Sequence, residues 1–188
     1  MKNADIVGQK VFLRTPKIRD LEEFIALNRA SIRLHRNLVS PPKHAEEFIA
    51  YLKTCRQACS VCFLIHQLEE RAIVGSINLS QISRGGFQNA YLGYCVGEPY
   101  SERGYMTEAM QLMLRYAFDR LRLHRIEANV QPENSPSLAL VQRAGFIREG
   151  YSRRYLKVCG RWRDHERWAI LAEDWRQLNS NGWMDQQG

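Results

Sequence analysis

Between Tyr91 and Ala109 the chain reads Tyr-Leu-Gly-Tyr-Cys-Val-Gly-Glu-Pro-Tyr-Ser-Glu-Arg-Gly-Tyr-Met-Thr-Glu-Ala: a short apolar strand, a tight turn at Gly104 and the opening of a helix. The first amides of a helix have no partner within it, and the helix dipole adds partial positive charge there. A glycine in front of that end lets the backbone approach a ligand with no Cβ in the way. Such a turn cradles an anion, and a phosphate or pyrophosphate is its natural guest. The helix must then lead to a neighbouring strand by a right-handed crossover, which places the chain among mixed α/β folds.

Periodicity supplies the other elements. Val11 to Arg14 is a first strand, and Asp20 to Asn28 carries Leu21, Phe24, Ile25 and Leu27 at helical spacing behind an Asp cap. Pro41-Pro42 separates this from a second helix over His44 to Cys55. Val61 to His66 and Ala72 to Ser80 are strands joined by a charged turn, and Tyr91 to Val96 is the next. The helix after Gly104 is expected to run from Tyr105 to Leu121 with an apolar stripe that includes Met106, Met110 and Met113, a stripe that reads as core packing. A strand over Ile126 to Gln131, a helix over Ser135 to Ala144 with Gly145 as its stop, and two closing strands around Cys159-Gly160 complete the series. The closing strands are Phe146 to Leu156 and Asp164 to Leu171.

With 188 residues and 45% hydrophobic composition, the chain is expected to form one domain over residues 1–188. No apolar run reaches the roughly 18 residues of a membrane span, and Met1 to Asp5 lacks the apolar core of a signal peptide, so a cytoplasmic protein is expected. Five cysteines without dense spacing suit reduced thiols. Cys55, Cys59 and Cys62 have the spacing of an iron–sulfur motif, but burial as small hydrophobes accounts for them, and no metal is expected. The net charge is +7, concentrated late: from Arg143 to Arg167 eight Arg or Lys stand against three acids, a local +5. That region would attract a polyanion such as ribosomal RNA, or is simply a solvated basic face.

Three further pieces, in order and at these separations, carry a family likeness: Ser101-Glu-Arg-Gly-Tyr-Met106, Asn134-Ser-Pro-Ser137 and Arg143-Ala-Gly-Phe146. Together with the element order they make the chain resemble the GNAT superfamily of acetyl-CoA-dependent N-acetyltransferases. Within it the likeness is to the RimJ-type ribosomal-protein-alanine N-acetyltransferases, through Tyr91-Leu-Gly-Tyr94, Leu123-His-Arg-Ile126, Glu149-Gly-Tyr151 and Gly160-Arg-Trp-Arg-Asp-His165. The resemblance implies a GNAT fold, with a mixed central sheet of six to seven strands splayed at the middle and about four flanking helices. It also implies acetyl-CoA as co-substrate, direct transfer of acetyl to an amine, and a protein N-terminus, that of a ribosomal protein, as acceptor. Ser101 and Met106 depart from the family pattern, which has Gln or Arg and a small residue there.

On the same footing, Tyr94 and Val96 would hold the pantetheine arm through main-chain bonds, and the amides of Arg103, Gly104, Tyr105, Met106 and Thr107 would hold the pyrophosphate, with Arg103 adding charge. Asn134 matches the family's pantetheine-binding asparagine, while as a residue it is also a natural helix cap. Ser137 stands where a proton donor to the departing thiolate is expected, or is an ordinary first-turn serine. Asn129 falls where relatives can carry a glutamate base, and an amide accepts no proton at neutral pH. Glu127, on the same strand face, is then the candidate carboxylate. An α-amine, with a pKa of about 8, needs less help than a lysine at about 10.4, which favours an N-terminal acceptor. Asp164 and His165 look like a catalytic pair, but neighbours in a strand point to opposite faces. Tyr151, Tyr155 and Trp162 are candidates for an acceptor groove. A small amine such as a polyamine or an aminoglycoside-type antibiotic is an alternative acceptor, and a non-catalytic acyl-CoA-binding, ribosome-associated module is another reading. Monomer and dimer, and longer acyl groups, stay open.

Overall fold

The computed structural model describes residues 5–180, so the expectations for Met1 to Ala4 and for the two ends of the 1–188 span lie outside the described residues. The strands are β1 (Ile6–Val7), β2 (Val11–Arg14), β3 (Val61–Gln67), β4 (Ile73–Ser83), β5 (Asn89–Val96), β6 (Arg125–Val130), β7 (Ile147–Val158) and β8 (Arg161–Leu171). The helices are α1 (Leu21–Ala30), α2 (Ile32–His35), α3 (Ala45–Thr54), α4 (Tyr105–Arg115), α5 (Ser135–Arg143) and α6 (Ala172–Ser180). The sheet runs β1-β2-β3-β4-β5-β6-β8-β7. Among the described residues this is eight strands and six helices, against the six to seven and about four expected. β1 has two residues, too few for alternation to show, and α2 is a single turn. α6 is marked in the sequence by a short local signal. Glu173 and Asp174 suit its first turn, and Trp175 is buried with its ring 5.5 Å from that of Phe118.

Helices cover both faces of the sheet. Phe63 and Ile65 of β3 belong to the large core with Ala109, Met110 and Met113 of α4, whereas Leu64 between them joins Phe24, Phe48 and Leu52 of α1 and α3. That is the period-two alternation of a strand buried on both sides. The helix after Gly104 is shorter than its stripe suggests: α4 ends at Arg115 and the chain widens into a π-turn over Tyr116–Arg120. Ala117 and Phe118 stay buried through that widening, so the apolar stripe continues where the α-helical hydrogen bonding does not.

β5 and β6 are parallel neighbours joined by the α4 crossover, as the turn at Gly104 requires. They pair over three positions, Asn89 with Arg125, Ala90 with Ile126 and Tyr91 with Glu127. Beyond Tyr91 they separate. β5 stays bonded to β4 as far as Val96, and β6 to β8 as far as Val130, so the sheet divides into a five-strand and a three-strand half with a gap between them.

Candidate active site

Two adjoining cavities lie at the gap. On the side of α4 and α5 lies a cleft of about 710 Å³, lined by Tyr94 to Val96, by Gly104 to Thr107, and by Asn134, Ser137 and Arg143 among others. A chamber of about 110 Å³ sits between the diverging strands, bordered by Gly93, Tyr94, Asn129, Gln131, Ser137 and His165, with Leu38 and Val39 closing it. Leu38, Val39, Tyr94, Asn134 and Ser137 border both cavities, and the last three bring polar side chains to the junction. A molecule lying in the cleft can therefore present one end to the chamber at these three residues.

Gly104 caps α4 with φ +80°, in the left-handed region that a side chain disfavours. The helical ladder begins with the Glu108 N–H donating to the Gly104 carbonyl at 3.2 Å, so the amides of Tyr105, Met106 and Thr107 lie ahead of it. These face a cleft long enough for an extended ligand, which fits a group that carries a pyrophosphate. Lys10 adds charge, its Nζ lying 3.7 Å from where a Gly104 Cβ would stand. The Glu108 carboxylate accepts from the backbone N–H groups of Gln9, Lys10 and Val11, tying the start of β2 to the first turn of α4. Arg103 is exposed and does not border the cleft, whereas Arg143 does. Ser101 turns its hydroxyl onto the Glu98 carbonyl at 2.8 Å, and Met106 both borders the cleft and packs on the core.

Asn134 caps α5: its side-chain oxygen accepts from the Ser137 amide at 3.3 Å. That cap fixes the first turn and brings Ser137 Oγ to 2.5 Å from the Tyr94 hydroxyl. Burial drives the Tyr94 pKa up to about 12, with the Ser137 bond acting the other way, so the phenol is protonated. The side chain of Tyr94, and not only its backbone, thus belongs to the site. Val96 offers a carbonyl that already accepts from His35 Nε2 at 2.8 Å, leaving one lone pair for a ligand.

Asn129 borders the chamber and its Oδ1 is buried with no partner. Glu127 borders neither cavity. Its Oε1 accepts from Arg125 Nε at 2.9 Å and from Asn89 Nδ2 at 3.2 Å, and Arg125 in turn pairs with Glu149. Two donors thus hold Oε1 inside the β5–β6 junction, away from both cavities. His165 is 3% exposed and borders the chamber, while Asp164 lies on the opposite strand face, accepting from the Tyr151 hydroxyl and the Arg154 amide. Gln131 Nε2 donates to the Asn37 and Leu38 carbonyls at 2.9 and 3.1 Å and so pins the segment that carries Leu38 and Val39. Leu38 and Val39 have no local motif to mark them, whereas His165 closes the motif Gly160-Arg-Trp-Arg-Asp-His165 and only the fold shows which cavity it borders. Tyr151 and Trp162 are exposed on the β7–β8 hairpin, away from the chamber's lining.

Of the three cysteines in the iron–sulfur spacing, Cys62 is buried, Cys55 half-buried and Cys59 exposed, so burial as small hydrophobes does not extend to Cys59. Among the described residues no group of three or more His, Cys, Asp or Glu could hold a metal ion, and no helix is long and apolar enough to cross a membrane.

Known proteins resemble this chain in sequence and in fold. Residues 10–147 match the acetyltransferase (GNAT) domain family. A Bacillus subtilis (strain 168) protein, the probable N-acetyltransferase YjcK, is 42% identical over 175 residues, which span 89% of this chain and 97% of that one. The [ribosomal protein uS5]-alanine N-acetyltransferase of Escherichia coli (strain K12) is 38% identical over 120 residues, 64% of this chain and 62% of that protein. Among solved structures, Mycobacterium smegmatis RimJ in complex with CoA-disulfide superposes with a TM-score of 0.80 at 29% identity, covering 92% of this chain and 89% of that one. The divided sheet, the cradle at the start of α4 and these likenesses lead to one conclusion: the chain belongs to the GNAT acetyltransferase family and is an N-acetyltransferase.

Proposed function

We propose that this protein transfers the acetyl group of acetyl-CoA directly to the N-terminal amine of a protein whose first residue is small, with the alanine terminus of a ribosomal protein as the favoured acceptor. The observation that carries the reading is the Tyr94–Ser137 pair at the junction of the cleft and the chamber. Acetyl-CoA is the co-substrate that fits the cleft. Its pyrophosphate would rest on the amides from Arg103 to Thr107, with Lys10 and Arg143 as the nearby cations. The pantetheine arm would follow Tyr94 to Val96 as an added strand, and Asn134 would fix its amide end.

Ser137 then lies next to the sulfur and delivers a proton as the thiolate leaves. Tyr94, protonated and 2.5 Å away, replaces that proton on the serine. Two observations favour an N-terminal acceptor. The chamber is the smaller cavity, about 110 Å³ against about 710 Å³ for the cleft, which suits an amine with a small side chain. The E. coli relative, moreover, is an alanine N-acetyltransferase of a ribosomal protein. The basic hairpin of β7 and β8 suits a ribosomal setting, and we place the reaction in the cytoplasm.

The test is release of CoA thiol from acetyl-CoA with N-terminal peptides beginning Ala or Ser, with spermidine and with an aminoglycoside. Peptides should turn over fastest. Turnover of a small amine with the peptides ignored would overturn the acceptor assignment, and CoA binding without any turnover would make the protein a binding module.

A further inference from the structure

We propose that His165 is the base that takes the proton from the acceptor amine, in a seat where Asn129 Oδ1 orients the same nitrogen. The assignment rests on acetyl transfer to a primary amine and supplies the base that Glu127, committed to Arg125 and Asn89, does not provide.

Strand register creates the juxtaposition. Asn129 of β6 is opposite Arg167 of β8, and His165 lies two residues further along β8, on the same face of the sheet. Both residues border the chamber, as does Ser137. The ring is fixed by its own strand: Nδ1 lies 3.1 Å from the Arg163 carbonyl. A carbonyl can only accept, so Nδ1 carries the hydrogen and the neutral ring keeps its lone pair on Nε2. Among the described residues Nε2 has no hydrogen-bond partner.

The surroundings keep that ring neutral near pH 7. Burial lowers its pKa below the ordinary histidine value and outweighs the Arg163 carbonyl and the Glu133 and Asp164 carboxylates, which favour the charged form. The ring of Tyr155 stands edge-on at 6.2 Å. No carboxylate borders the chamber, so nothing there stabilises an ammonium as an ion. Two hydrogen-bond acceptors without partners, Asn129 Oδ1 and His165 Nε2, ask for a ligand rich in N–H donors.

The protons balance. His165 Nε2 takes one proton from the ammonium and becomes imidazolium, and the freed lone pair forms the bond from nitrogen to the acetyl carbon. The carbon–sulfur bond breaks with its electron pair staying on sulfur, which takes a proton through Ser137. Tyr94 replaces the proton that Ser137 gave, the second proton lost from nitrogen restores Tyr94, and His165 returns its own to solvent.

Two measurements test this. The first is the pH profile of kcat/KM for whichever amine turns over fastest, compared between the wild type and His165→Gln. The wild type should be flat from about pH 7 upward. The variant should be more than tenfold slower at pH 7, with CoA affinity unchanged, and the deficit should close as pH rises through about 8, where an α-amine loses its own proton. A deficit that stays constant with pH, or none at all, overturns the assignment. The second is the ¹⁵N NMR spectrum of His165 in the wild-type protein, which should show the neutral tautomer with hydrogen on Nδ1 and a pKa below about 6.5. A hydrogen on Nε2, or an ordinary titration, overturns it with no acceptor needed. Peptides that fail to react while another amine does would count against the N-terminal acceptor and leave the role of His165 to be decided by these two results.

Discussion

Compared with the cleft at the start of α4, the chamber between β5 and β6 is built from remote pieces. The cleft's defining wall is contiguous, a strand, a left-handed glycine and a helix between Tyr91 and Ala109. The chamber joins Leu38 and Val39, Gly93 and Tyr94, Asn129 to Gln131, and His165, which span more than 120 residues of sequence. The contrast bears on the proposal that CoA lies in the cleft and the acceptor amine in the chamber. A phosphate needs only backbone amides and a dipole, which one local turn supplies. An acceptor must be held by side chains from several directions, and those arrive from different strands and loops.

Changes that probe the two regions should separate affinity for CoA from turnover. The largest effect is expected at their junction. Ser137→Ala should lower kcat more than tenfold with CoA affinity unchanged in a calorimetric titration, and an unaffected rate would remove Ser137 from proton delivery. On the cleft side, Gly104→Ala meets no close neighbour, yet φ +80° strains any side chain by roughly 1–2 kcal/mol. CoA affinity should fall about fivefold to thirtyfold if the bound state demands that backbone, which is the same energy as a ratio at 1.4 kcal/mol per tenfold. On the chamber side, Gln131→Leu releases the Asn37 and Leu38 carbonyls. The acceptor KM should rise several-fold while the CoA affinity holds, and a change in both would show that the two regions are not independent. Smallest is the cation comparison. Arg143→Ala should weaken CoA binding a few-fold, more at low salt than at high, while Arg103→Ala changes little, because Arg143 borders the cleft and Arg103 does not. The reverse order would return Arg103 to the role that the motif suggests.

Particular residues show how far local pattern reaches. Cys159 and Gly160, both with positive φ, form the two-residue turn between β7 and β8 that the Cys-Gly pair suggested. The crossover from β5 to β6 follows from a strand, a glycine and a helix in succession. β1 was illegible because two residues carry no period, and the end of α4 at Arg115 was illegible because the apolar stripe runs on through the π-turn. In the site, Asn134 was legible as a cap and Gly104 as the turn ahead of α4, both being local backbone matters. Glu127 looked like a free carboxylate on the right face, and only its neighbours Arg125 and Asn89 show it to be committed.

The amino-acid order alone determined the mixed α/β class, the glycine turn ahead of α4 and the capped helix that carries Ser137, because each depends on residues within a turn or two of one another. The pairing of the Tyr94 and Ser137 hydroxyls, the pinning of Leu38 by Gln131, and the meeting of Asn129 with His165 were decided by tertiary structure. They follow from where β5 and β6 part and from the register of β6 on β8, and register is set by the packing of the whole sheet and not by any one strand.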